Sequence, residues 1–161
     1  MEGSRSPHDM ARETHECRAK ELEVYEAMLT LSQRQRDAIL GADWNGLERA
    51  TREKEKLIVQ ATQLGARVAA LIDECALATG VRNHECLARA GAEVGSCLLN
   101  AKIARVLSEL LTFENSNQEL LESAMEPVRE ELKAVRTGKR ALRAYWGQPA
   151  VRAHGLIDGD A

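Results

Sequence analysis

Residues 94–137, VGSCLLNAKIARVLSELLTFENSNQELLESAMEPVREELKAVRT, decide the fold. Their apolar side chains are Leu99, Ile103, Val106 with Leu107, Leu110, Phe113, Leu120 with Leu121, Ala124 with Met125, Val128, Leu132 and Val135. The steps alternate between three and four residues, with Asn117 the one polar member of the series. Such a period keeps one helical face apolar at the spacing of a coiled-coil seam. At about 1.5 Å rise per residue the helix would be roughly 60 Å long. A helix of that length does not fit inside a globule of 161 residues, so it must pack lengthwise against partner helices.

The rest of the chain agrees with an all-α reading. Aromatic residues make up 3% and no run of alternating β-branched residues is present, which argues against strands. No apolar stretch is long enough to cross a bilayer, and the first residues, MEGSRSPHDM, lack the apolar core of a signal peptide. A cytoplasmic protein without membrane insertion is expected. Cys17, Cys75, Cys86 and Cys97 have neither paired nor CxxC spacing and read as small buried hydrophobes.

Two further helices precede the long one. The first is expected from about Met10 to Leu40, with a thin seam of Leu22, Tyr25, Leu29, Ser32 and Ile39 and with Gly41 as its left-handed terminator. Asp43 is placed to cap the second, from about Trp44 to Thr79, so the link is short and the two helices are antiparallel neighbours. The second seam runs Leu47, Ala50, Lys54, Leu57, Ala61, Leu64, Val68, Leu71, Cys75 and Ala78. Lys54 is its misfit, accommodated if the methylenes lie on the seam and the ammonium reaches outside. Gly80 stops this helix, and residues 80–93 form a connector with room for a short helix at His84–Ala90.

The expected architecture is an elongated antiparallel bundle of three long helices over residues 10–137. Residues 1–9 should be disordered, and residues 138–161 should form a basic, mostly flexible tail. Pro127 removes a hydrogen bond inside the third helix and is expected to kink it, turning residues 128–137 into an arm.

Charge is unevenly spread. From Leu132 to Ile157 there is no acid, and six cations (Lys133, Arg136, Lys139, Arg140, Arg143 and Arg152) give +6. Against a total of −3 that leaves −9 for the rest. A basic tail on an acidic body suits an acidic protein surface, the protein's own body, nucleic acid, anionic lipid or plain solvation. Tyr145 and Trp146 either anchor an interface, as large aromatics beside Arg often do, or fold back on the bundle end. Asn117 either fixes the register of the seam or faces an open groove.

Catalysis finds no support. His8, His15, His84 and His154 are scattered, with no nucleophile-elbow motif and no phosphate-binding glycine pattern. The cluster Cys75, His84, Glu85, Cys86 and Cys97 has no usual zinc spacing, so no metal and no cofactor are expected.

Three stretches together resemble the FlgN family of flagellar type III export chaperones over roughly residues 20–147. They are LGADWNGLERATREKEKLIVQATQL with Asp43, Leu47, Lys54, Leu57 and Leu64; ENSNQELLESAMEPVREELKAV with Asn117, Leu120 and Leu121; and Tyr145 close to Gly147. Where the family commonly shows two Asn three apart, this chain has Glu114 before Asn117. The resemblance implies a cytosolic chaperone that binds the C-terminal helices of hook-filament junction proteins, prevents their premature assembly and delivers them to the export gate or export ATPase components. It implies cargo binding by Asn117, Leu121, Met125, Val128, Leu132 and Val135, and export-gate docking by Tyr145 and Trp146. The alternatives are a structural or adaptor coiled coil closed within its own homo-oligomer, and a helical nucleic-acid binder using the basic tail. The −9 of the body speaks against nucleic acid.

Overall fold

The computed structural model describes residues 6–80 and 96–146, which form three helices: α1 (Pro7–Leu40), α2 (Trp44–Thr79) and α3 (Ser96–Trp146). No strand occurs among the described residues. The connector helix expected at residues 84–90 and the far end of the basic tail lie outside them, as do His84, Cys86 and His154.

Helix α1 begins at Pro7, before the expected Met10, and the reason is local. Ser6 is an N-cap whose hydroxyl accepts from the Asp9 amide at 3.1 Å, and Pro7 occupies a first-turn position where its missing N–H costs nothing. The Ser6 hydroxyl also donates to the Asp9 carboxylate at 2.8 Å, and that bond holds the Asp9 carboxyl below its ordinary range.

The turn after Leu40 corrects a second expectation. Gly41 has φ −86°, an ordinary value, and the left-handed residue is Ala42 at φ +52°. Asp43 N donates to Ala38 O at 2.8 Å and Ala42 N to Ile39 O at 3.2 Å, the bond pair of a Schellman motif with Ala42 where glycine is usual. Asp43 then caps α2 by accepting from Gly46 N at 2.9 Å. At the other end of α2, Gly80 takes the left-handed conformation (φ +67°) and donates to Ala76 O.

The chain divides into two compact units, residues 1–121 and 122–161. In the first, α1 and α2 are antiparallel: Gln35 bonds Thr51, Ser32 bonds Lys54, and Glu13 pairs with Arg67, so one number rises as the other falls. Its core takes Met10, Met28, Leu31 and Ile39 from α1, Val68, Leu71 and Cys75 from α2, and Ile103, Val106 and Leu110 from α3. Leu71 is fully buried, which contributes about 2 kcal/mol by area alone. The cysteines do not share one environment. Cys75 is buried, Cys17 half-buried with its thiol pushed up by burial and by Glu13, and Cys97 exposed.

A polar layer crosses this core. The Lys54 ammonium is buried rather than reaching outside, and donates to Ser32 Oγ at 2.8 Å, to Gln35 Oε1 at 3.2 Å and to the Glu114 carboxylate. Asn117 Nδ2 donates to the Ser32 carbonyl at 2.8 Å, and Arg36 to Ser116 Oγ at 2.8 Å. Buried donors of this kind must be met, and here α1, α2 and α3 each contribute partners.

The second unit is helical from Glu122 to Trp146. Neither Pro127 nor Gly138 interrupts the helical assignment, so the tail expected to loosen at 138 is helix for two further turns.

Candidate docking surface

The apolar pattern of α3 has two fates. Ile103, Val106 and Leu110 are buried in the first unit, whereas Met125, Val128, Leu132 and Val135 in the second are 41%, 54%, 52% and 54% exposed. Side chains of this kind ordinarily cover their apolar surface, and a row of them left open along one helix marks a place for a partner. Because the helix continues past Gly138, Leu142 (57% exposed) and Trp146 (78% exposed) join the row. From Met125 the steps are three, four and three to Val135, then four to Lys139, three to Leu142 and four to Trp146. Lys139 is the only break.

The flanks differ along the length. Around Met125–Val128 stand Glu122, Glu126, Glu130 and Glu131, with Arg129 3.7 Å from Glu126 and Lys133 2.5 Å from Glu130. After Leu132 the flank is Arg136, Arg140 and Arg143, which, like Lys139 within the row, form no ion pair among the described residues. Tyr145 and Trp146 end the helix with their rings edge to face, centroids 6.3 Å apart and planes at 89°. Successive helical residues project about 100° apart, so Trp146 lies on the apolar row and Tyr145 beside it.

The residues expected to bind cargo therefore separate. Met125, Val128, Leu132 and Val135 stand together on the open row of the second unit. Leu121 is half-buried in the first unit, and Asn117 is buried there with its amide committed to Ser32. Sequence reasoning missed Glu114, which reaches the buried ammonium of Lys54 and takes no part in the open row. The available signal was that Ser32, Lys54 and Asn117 are the polar interruptions of the three seams, and the structure puts them in one layer. Among the described residues no three His, Cys, Asp or Glu side chains converge as a metal site.

Fold and surface define an all-helical protein that presents an unfilled amphipathic helix face, the geometry in which one helix receives another. The family model for FlgN protein matches residues 10–148, and the chain belongs to that family, whose members are flagellar export chaperones rather than enzymes and bind hook-associated proteins. Neither the curated proteins nor the solved structures give a match. None of the described helices is long and apolar enough to cross a membrane.

Proposed function

We propose that the chain is a cytoplasmic chaperone whose open row, Met125, Val128, Leu132 and Val135, holds the C-terminal amphipathic helix of a hook-filament junction protein until that cargo is handed to the export gate. The observation that carries this reading is the change of fate along α3: the same three-four pattern is buried before residue 121 and exposed after it. A terminal helix of an exported filament protein is apolar on one face and self-associates if left open, and a second apolar row covers it. Asn117 is left out of the cargo set, because its amide already serves the Ser32 carbonyl, and its place is in the register of the bundle. Tyr145 and Trp146 are the docking pair for the gate.

Isothermal titration of the full chain with junction proteins, and with the same proteins lacking their terminal helix, tests the reading. A stable complex that disappears with the helix supports it. Absence of a complex, together with a dimer by light scattering in which the row is protected from hydrogen exchange, would support the adaptor coiled coil instead.

A further inference from the structure

Residues 132–146 hold five Lys or Arg and no Asp or Glu; at about 100° per residue Leu132, Val135, Leu142 and Trp146 share one strip of the helix, and Arg136, Arg140 and Arg143 run along one border of it. We infer that this segment adsorbs to the surface of an anionic phospholipid bilayer, lying in the plane of the headgroups with Trp146 and Leu142 in the acyl boundary and Arg136, Arg140 and Arg143 on the phosphates. An amphipathic helix lies in a bilayer interface when one face is cationic and the other offers Trp and Leu, and Trp prefers the headgroup depth. Here the apolar strip is present, and the arginines along its border reach the phosphates by extending their stems away from it.

Charge sets the limits of the segment. Glu122, Glu126, Glu130 and Glu131 precede Leu132, and an anionic surface repels them, so adsorption begins where the acids end. The same argument separates a bilayer from a helical protein partner. Lys139 interrupts the apolar row between Val135 and Leu142, and a partner helix packed along the whole row would bury its ammonium. At a bilayer the stem lies along the apolar boundary and the ammonium reaches up to the phosphates. No helix among those described is apolar enough to span, so the segment rests on the surface. The inference shares Leu132 and Val135 with the cargo row and Trp146 with the gate pair, but its test reads vesicle binding with no cargo or gate present, so it stands or falls separately from both.

The test uses the full chain carrying Trp44→Phe, which leaves Trp146 as the only tryptophan of the two. Co-sedimentation with vesicles of mixed phosphatidylglycerol and phosphatidylcholine should retain the protein at physiological ionic strength and shift Trp146 emission to the blue, while phosphatidylcholine vesicles do neither. Each phosphate-facing cation is worth about fivefold in partition, so Arg140→Gln with Arg143→Gln should weaken binding about 30-fold with helicity unchanged by circular dichroism. Trp146→Ala, which keeps every cation, should weaken retention and tests the apolar half separately. Salt at 1 M should release the protein as the screening length falls to about 3 Å. No retention on anionic vesicles, equal retention on neutral ones, or an unchanged partition in the double variant would overturn the inference, as would binding only to an acidic protein or to nucleic acid.

Discussion

Lys54 is a buried charge in the first unit: its side chain is 8% exposed and its ammonium is met by one carboxylate that is 41% exposed. Removing that carboxylate strands a buried ammonium. Glu114→Ala should therefore cost about 2 kcal/mol, less than a fully buried pair because water already screens the glutamate. Replacing both, Lys54→Met with Glu114→Leu, should restore or exceed the original stability, because a buried pair contributes little beyond its own desolvation. Urea midpoints of the two single variants and the double decide it, and losses that simply add would show that the two residues are not coupled. Ala42 offers a prediction of opposite sign. A left-handed φ costs an alanine roughly 1–2 kcal/mol, and glycine relieves most of that while giving back part as chain entropy, so Ala42→Gly should raise the unfolding midpoint by a few degrees. Residue type alone points to Gly41 as the left-handed position; the Schellman bonds from Asp43 and Ala42 place it one residue later. Type does not count hydrogen bonds, which is why that error and the outward reach expected of Lys54 share an origin.

At the scale of elements, seam spacing was readable on α2 and α3 and less so on α1, where Met10, Met28, Leu31 and Ala38 are buried and the expected Leu22, Tyr25 and Leu29 only half-buried. Burial of Ala50, Lys54, Val68, Leu71 and Cys75 on α2 follows the expected register, and Ile103, Val106, Leu110 and Asn117 do the same on α3. Helix ends were less readable, because they depend on caps and on the residues beyond them. Gly138 weakens helix by about 1 kcal/mol, but Lys139, Arg140, Ala141, Leu142 and Arg143 are strong helix formers, and cations in a last turn favour the helix dipole. The sum favours helix to Trp146. Gly138→Ala should accordingly slow hydrogen exchange in residues 134–146, since a methyl placed there meets nothing within 4 Å. If exchange is unchanged or faster, the helix beyond 138 is not limited by glycine entropy. The open row makes a prediction at the same scale: Leu132→Asp or Val135→Asp should abolish cargo binding and leave the thermal midpoint unchanged, because both side chains are exposed in the free protein and become buried only under a partner. A midpoint that collapses would make the row part of the core and remove the cargo reading.

For the whole molecule the two units divide the labour by chemistry. The first buries Ser32, Lys54 and Asn117 in one internal layer that sets register, and the second keeps its apolar row and its cations outward. The candidate site was legible where it depended on periodicity (Met125 to Val135) and illegible where it depended on which seam residues find a partner, as Asn117 does in Ser32. Tyr145 is the residue on which the division can be tested in the cell. Its ring is 78% exposed, lies beside the apolar row and touches Trp146 edge-on, so the free protein does not need it for packing. If it docks on the export gate, Tyr145→Ala should lower secretion of the junction proteins and motility while the affinity for cargo in solution stays within about twofold. A tyrosine that anchored cargo would behave otherwise, losing about 2 kcal/mol, or roughly thirtyfold in affinity, as interface hot spots do. Calorimetry on the purified pair and secretion assays on the same variant therefore give two independent readings. Loss of both moves Tyr145 onto the cargo surface, and loss of neither removes it from function altogether.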